Sequence, residues 1–192
     1  MSSNTTEFEA VVLASPLVSA VWAEWERLAL PECWLVAGCL AQTVWNKHFA
    51  FPPEHAISDV DLVYFDLGDV SAEREQHHGE RIRAMFTHLP VWIDVKNEAR
   101  VHLWYEKKFG YPIAPYSSVK DAIGTFPTTA TAVGIRPSGS AVEIYAPYGL
   151  DDLLNGTIKA NKTQITREIF DAKAAKWLHL WPHLKVIPWD EC

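Results

Sequence analysis

Residues 57–65 read ISDVDLVYF and place two carboxylates, Asp59 and Asp61, at the start of an apolar run. Alternate side chains of a β-strand point to the same face of its sheet, so the sequence predicts that these two acids lie side by side. Two anions at that distance repel each other, and burial raises the cost unless a positive charge lies between them. The simplest positive partner is a divalent cation, and carboxylate, water and phosphate oxygens favour Mg2+.

The same stretch has other interpretations. Glycosyltransferases with an Asp-x-Asp signature and phosphatases with an aspartyl nucleophile also use paired acids, but there the apolar strand usually precedes the acids. Val63 stands where such a phosphatase signature has threonine. A strand entry with two solvated surface acids is the purely structural alternative. The stretch alone therefore predicts a strand with paired acids and leaves its chemistry open.

The composition indicates one folded domain. The chain has 192 residues, of which 48% are apolar and nine are tryptophan, so we expect a sizeable core. Its net charge of -7 argues against broad nucleic-acid binding, which needs a basic surface. No apolar run approaches the roughly 18 residues that a membrane span needs. We expect a cytoplasmic protein without a membrane partner, whose cysteines are reduced and of which Cys33 and Cys39 are buried.

Hydrophobic periodicity divides the chain into helices and strands. The expected helices cover residues 16–29, 40–48, 72–89, 99–109, 117–123, 150–154 and 164–181. The expected strands cover residues 34–37, 59–65, 91–96, 132–136 and 141–145. The last two form a hairpin whose linker is Pro137-Ser138-Gly139. The cations of the final helix, Lys173 among them, are expected on a solvated face.

A glycine turn separates the first strand from the helix that follows it. Gly38 and Cys39 end the strand, and Gln42 and Asn46 lie four residues apart on the helix. A strand, a glycine turn and a helix together present backbone N–H groups to an anion. An ordinary turn has the same sequence pattern, so an anion site is one of two interpretations.

A third acid, Asp94, interrupts the apolar run of residues 91–96, VWIDVK. An acid embedded in this way is rarely left unpaired. Asp94 is therefore either a functional residue or the partner of a cation such as Lys96 or Arg100.

Taken together, the glycine turn, Asp59-x-Asp61 and Ile93-Asp94-Val95 resemble the nucleotidyltransferase superfamily typified by DNA polymerase beta. That superfamily combines a glycine turn, a strand that begins Asp-x-Asp, and a later strand with a third acid between apolar neighbours. The chain is more closely similar to a family of small bacterial proteins grouped as nucleotidyltransferase-like. The segments that carry this similarity are residues 38–46, 59–66, 94–105, 126–136 and 146–153.

The resemblance implies an α+β fold, with a mixed sheet of about five strands backed by helices and with N- and C-terminal helices packed on it. It implies a single domain over residues 1–192, with a catalytic core at about 33–145 and a helical appendage at 146–192. Asp59, Asp61 and Asp94 would be the catalytic and metal-holding acids, with Mg2+ or alternatively Mn2+ as the ion. The candidate substrate-binding residues are Gly38, Cys39, Gln42, Asn46, Lys96, Thr128, Thr129 and Lys162.

The implied activity is transfer of a nucleoside monophosphate from a nucleoside triphosphate to an acceptor, for which the acidic composition favours a small molecule over RNA. One departure bears on this prediction. The superfamily usually has serine after the turn glycine, and here Cys39, a poorer hydrogen-bond donor, takes its place. The alternative hypothesis is therefore a protein that keeps the fold and binds a nucleotide or a partner with weak or no catalysis.

Overall fold

A computed structural model of the chain describes residues 3–192. Its helices are α1 (Ser3–Leu13), α2 (Pro16–Ala23), α3 (Trp25–Leu28), α4 (Gly38–His48), α5 (Ala72–Met85), α6 (His102–Phe109), α7 (Val119–Ile123), α8 (Asp151–Leu154) and α9 (Arg167–Leu180). Its strands are β1 (Trp34–Val36), β2 (Asp59–Tyr64), β3 (Trp92–Asn97), β4 (Gly134–Ser138), β5 (Ala141–Tyr145), β6 (Thr157–Ile158) and β7 (Lys185–Val186). Short 3-10 turns cover Glu98–Arg100 and Trp189–Glu191.

The central sheet is mixed and has the strand order β3-β2-β1-β4-β5. β2 and β3 run parallel, with α5 as the crossover between them, and the other neighbours are antiparallel. β6 and β7 form a separate two-stranded parallel sheet that the sequence did not predict. The predicted fold class, an α+β fold with a mixed five-stranded sheet backed by helices, is confirmed.

The two faces of the sheet have different neighbours. Val60 and Leu62 of β2, together with Ile93 and Val95 of β3, point into the main hydrophobic core. The intervening residues of both strands point to the opposite face, which therefore carries the acids. A smaller apolar cluster covers part of that face, and Val63 belongs to it together with Trp34, Val36, Val119 and Ile123.

Helix α4 is the centre of the main core. Its Trp45 is fully buried and contacts the rings of Trp177 and Trp181 edge-on, at centroid distances of 5.6 and 5.5 Å. Phe8 of α1 is fully buried in the same cluster. The terminal helices are thus held to the fold by aromatic and apolar burial.

Several predicted boundaries are wrong. The helix expected over residues 16–29 breaks at Glu24, and α1 lies in a segment where no helix was expected. The expected hairpin linker is also displaced, because Pro137 and Ser138 belong to β4 and pair with Val142 and Ala141. Proline is tolerated there because β1 pairs with β4 only at Gly134 and Ile135, which leaves no β1 partner for an N–H at position 137.

Among residues 3–192, no single helix has both the length and the apolar character needed to cross a membrane. Helices α1 and α2 meet those criteria only as a pair, joined across a bend of 82°.

Candidate active site

The three predicted acids lie on one face of the sheet, on two neighbouring strands. Asp61 pairs in register with Asp94, and Asp59 stands two residues earlier on β2. Because paired residues of adjacent parallel strands share a face, all three carboxylates project from the same side. Each acid is partly exposed, so a ligand can approach this face from solvent.

Negative charge accumulates at Asp61. Burial, followed by repulsion from Asp59 and Asp94, raises the pKa of Asp61 to about 7, although the cations Lys173 and Lys96 oppose this shift. The ordinary value is 3.8. Near neutral pH the carboxyl therefore exchanges a proton readily, and a cation at this position would favour its charged form.

Lys96 is the cation that pairs with Asp94. Its Nζ atom lies 3.3 Å from Asp94 Oδ1, and the two side chains are 41% and 32% exposed. Arg100, the other partner that the sequence allowed, instead binds Glu75 in a buried ion pair. A half-exposed pair at this separation is weak, so Asp94 stays accessible to a ligand.

The N-terminus of α4 adjoins the acids. Val36, the last residue of β1, pairs in register with Asp61, and the helix begins two residues later at Gly38. Ala37 makes the turn with φ 59° and ψ -125°, a positive-φ conformation that is strained for alanine. No side chain caps the helix. Its first-turn N–H groups are therefore available to an anion held beside Asp61.

Gln42 lies above this turn, and its Nε2 would be 3.3 Å from a Cβ atom built on Gly38. Its Oε1 is buried and has no hydrogen-bond partner among the described residues. A glycine at position 38 thus leaves room for the amide group of Gln42 at the helix N-terminus.

Cys39 points inward, into the main core. It is 1% exposed, and burial followed by the negative charges of Asp61 and Asp59 raises the pKa of its thiol to about 12. A buried neutral thiol cannot contact a phosphate group. The Cys39 side chain is therefore a packing residue beneath the acids, and only the backbone N–H of residue 39, in the first turn of α4, keeps the predicted role in substrate binding.

Asn46 is also a structural residue. It is completely buried, and its amide donates to the carbonyl oxygens of Pro53 and His55 at 3.1 and 2.9 Å. Its Oδ1 accepts a hydrogen bond of 2.7 Å from Trp181 Nε1. All of its polar atoms are used inside the fold, so the predicted contact with substrate is wrong.

Three further candidates are occupied elsewhere. Thr128 is completely buried and shares a 2.8 Å hydroxyl hydrogen bond with Thr131, while the Thr129 hydroxyl donates to Asp152 at 2.6 Å. Lys162 Nζ donates to the carbonyl oxygen of Cys192 at 3.0 Å. These contacts tie the loop after α7 and the C-terminus to the fold. The buried Thr128 hydroxyl contradicts the role predicted for that residue, whereas Thr129 is partly exposed and Lys162 is exposed, so their roles stay predictions.

The structural role of Asn46 predicts that its removal destabilises the fold. Asn46→Ala is expected to lower the free energy of unfolding by about 2–4 kcal/mol, because three hydrogen-bonding groups lose their buried partner. Chemical denaturation measures this loss. Gln42→Ala is the matched control on the same helix, and it should change stability much less while weakening nucleotide binding. Normal stability in Asn46→Ala would contradict the assignment.

A pocket that the sequence did not reveal lies next to the acids. Its volume is about 230 Å3, and its charged lining residues are Lys96, Glu98 and Lys173. Lys173 was expected on a solvated face, and much of its side chain is indeed exposed. Lys173 lines the pocket, and desolvation lowers the pKa of its ammonium group although the negative charges of Asp61 and Asp59 oppose this shift. Residue spacing within α9 gave no signal for this placement.

A divalent cation fits the donor set of this face, although no closed cage is preformed. Within residues 3–192, no group of three or more histidine, cysteine or acidic side chains already stands in place to hold a metal. Mg2+ keeps several waters and needs only one or two carboxylates together with phosphate oxygens. Asp59, Asp61 and Asp94 supply oxygen donors, and burial together with the negative charges of Asp59 and Asp94 raises the pKa of Asp61, which a bound cation would lower again.

Comparisons with known proteins agree with this geometry. A family model described as nucleotidyltransferase matches residues 23–186. A solved NMR structure described as revealing a CCA-adding enzyme head domain is similar, with a TM-score of 0.79 and 25% sequence identity over 95% of both chains. No curated protein matches the sequence at a significant level.

Proposed function

The chain belongs to the nucleotidyltransferase family and is a transferase, and on this premise we propose that it moves a nucleoside monophosphate from a nucleoside triphosphate to an acceptor hydroxyl, assisted by Mg2+ or Mn2+. One observation carries the proposal. Asp61 pairs with Asp94 on one neighbouring strand and with Val36 on the other, and Val36 is followed two residues later by the uncapped N-terminus of α4, so the acids lie beside that helix end. A carboxylate face next to a phosphate-binding helix end suits a metal–triphosphate complex.

In this proposal Asp59 and Asp61 would hold one divalent ion, and Asp94 would help to hold a second one. When bound, such ions stabilise the charge that develops on the attacking and leaving oxygens. The first-turn N–H groups of α4 and the Gln42 amide bind phosphate oxygens. Lys96, which pairs with Asp94, and Lys173, which lines the adjoining pocket, offset negative charge when pyrophosphate leaves.

The acceptor oxygen attacks the α-phosphorus, and the bond from that phosphorus to the bridging oxygen of pyrophosphate breaks. The hydroxyl proton passes to a carboxylate oxygen of Asp94, which faces the same side of the sheet as the other two acids. Proton transfer to a positioned carboxylate contributes about a hundredfold or more to such a rate.

The alternative of a fold retained without catalysis rested on Cys39. Because the Cys39 side chain is buried beneath the acids, its presence removes no phosphate contact. The family assignment likewise favours nucleotidyl transfer over the phosphatase and glycosyltransferase interpretations of Asp59 and Asp61. For the acceptor we propose a small molecule rather than RNA, since the net charge of -7 opposes binding of a polyanion.

Isothermal titration of the four nucleoside triphosphates, with Mg2+ and with chelator, tests the proposal. At least one nucleotide should bind only with Mg2+, and the affinity should vanish in Asp59→Asn. Pyrophosphate should also be released slowly, because water can replace the acceptor as the group that attacks the α-phosphorus. Binding that persists in chelator, or in Asp59→Asn, would contradict the proposed site.

Metal binding should depend on pH through Asp61. Its pKa of about 7 means that protons compete with the ion at and below neutrality. We expect the apparent affinity for Mn2+ to fall about tenfold for each unit of pH below 7, and to level off above it, because only the ionised carboxylate is a ligand. Titrations in buffers with different ionisation enthalpies measure the proton released on binding. A pH-independent affinity would contradict this prediction.

A further inference from the structure

Glu98 is a buried carboxyl group that the proposed chemistry does not use. It follows β3 directly, at the start of a 3-10 turn, and is only 6% exposed. Its carboxyl makes no hydrogen bond and no ion pair with any residue from 3 to 192, yet it lines the pocket beside the acids. Because this carboxyl group has no partner in the fold and lines the pocket, it can hydrogen-bond to a ligand that enters the pocket.

The walls of the pocket are aromatic. Trp104 and Tyr105 of α6 line it on one side, and Tyr116 and Phe126 contribute rings from the segments around α7. The volume of about 230 Å3 is smaller than the roughly 300–1,000 Å3 of pockets that take drug-sized ligands. A pocket with largely aromatic walls and one unpartnered carboxyl group suits one flat heteroaromatic ring that has polar atoms along one edge.

Two cations connect the pocket to the acids. Lys96 lines the pocket and also pairs with Asp94, and Lys173 lines it while lying near Asp61 and Asp59. A ligand whose ring fills the pocket and whose phosphates reach the acids would pass between these ammonium groups. A nucleoside triphosphate has that arrangement of ring and charge.

We propose that this pocket takes the base of the nucleotide and that Glu98 recognises the hydrogen-bonding edge of that base. The inference rests on the proposed function, because it assumes that a nucleotide binds at the acids. Glu98 is a specificity-determining residue in this assignment and takes no part in the transfer itself.

The charge state of Glu98 sharpens the assignment. Burial, followed by repulsion from Glu75 and Asp61, raises the pKa of Glu98 to about 8. A neutral carboxylic acid offers one O–H donor and one C=O acceptor, so it pairs with a ring edge that presents a donor next to an acceptor. Glutamine has the same pair of groups and nearly the same shape, whereas leucine has neither group.

The test compares Glu98→Leu and Glu98→Gln in isothermal titrations with Mg2+ and two ligands, the best-bound nucleoside triphosphate and inorganic tripolyphosphate. Glu98→Leu is expected to weaken nucleotide binding about tenfold or more, because a base left without its buried partner loses that much affinity. It should leave tripolyphosphate binding unchanged. Glu98→Gln should bind the nucleotide within a few-fold of wild type.

Trp104 provides an independent readout. Stacking of a base in the pocket should quench its fluorescence, and the quenching should disappear in Trp104→Phe and be absent with tripolyphosphate. Equal nucleotide affinity in wild type and Glu98→Leu would overturn the inference, as would loss of tripolyphosphate binding in Glu98→Leu. If wild type binds tripolyphosphate but no nucleotide, the base pocket is refuted; if it binds neither, the proposed function itself fails.

Discussion

Asp61→Asn is expected to lower the rate of nucleotidyl transfer about a thousandfold or more, because losing one metal-holding carboxylate removes several kcal/mol of transition-state stabilisation. The same substitution should make the metal-free protein more stable. Asp61 is largely desolvated beside two other acids, and its pKa is raised from 3.8 to about 7. A site arranged to hold a cation is strained electrostatically when no cation is present.

The gain in stability should depend on pH. Between pH 3.8 and about 7, the folded protein keeps a proton on Asp61 that the unfolded chain has lost. Stability of the wild type therefore falls as pH rises through this window and stays low above it. The advantage of Asp61→Asn should reach the order of 2–4 kcal/mol at about pH 8, since each pKa unit corresponds to about 1.4 kcal/mol, and should disappear at about pH 4.

Chemical denaturation in chelator, at both ends of this pH range, measures the effect. Glu106→Gln is the matched control, because Glu106 is an exposed acid on α6 and should change neither activity nor stability appreciably. An Asp61→Asn protein that transfers nucleotides at the wild-type rate, or that is less stable than wild type at alkaline pH, would contradict the electrostatic account of the site.

Arg100→Met is expected to destabilise the fold by about 3–5 kcal/mol, because it leaves the buried carboxylate of Glu75 without its cation. The Arg100 Nη1 atom lies 2.7 Å from Glu75 Oε1, and both side chains are about nine-tenths buried. Glu75 Oε2 also accepts the backbone N–H of Asn97 at 2.8 Å, which links α5 to β3. Equilibrium unfolding in denaturant measures the loss.

The double variant Glu75→Gln with Arg100→Met separates the charge from the packing. Glutamine still accepts the N–H of Asn97 but carries no charge, so the double variant should recover more than half of the lost stability. A loss below about 1 kcal/mol in Arg100→Met, typical of exposed pairs, would mean that this ion pair does not hold β3 in place.

The sequence was sufficient to predict the acid face, because the information is local. Asp59 and Asp61 alternate with Val60 and Leu62, and Asp94 lies between Ile93 and Val95. Because side chains alternate between the two faces of a strand, the acids of each strand lie on one face, and the parallel register of β2 and β3 places the acids of both strands on the same face of the sheet. The glycine turn before α4 was predictable for the same reason.

The other parts of the site depend on contacts between distant segments. Lys173 has the same spacing as the solvated cations of α9, and only the packing of that helix against Trp45 brings it near the acids. Asn46 and Gln42 occupy equivalent positions one helical turn apart. Asn46 faces Trp181, whereas Gln42 faces the turn at Gly38, and the sequence does not distinguish them.

The measurement that tests the central claim most directly is Mn2+ binding followed by electron paramagnetic resonance, with and without tripolyphosphate. The proposed site predicts that wild type binds Mn2+, that tripolyphosphate tightens this binding, and that Asp59→Asn and Asp94→Asn each abolish the effect of tripolyphosphate. If Asp94→Asn bound Mn2+ as the wild type does, and tripolyphosphate still tightened that binding, the result would contradict a site shared by β2 and β3.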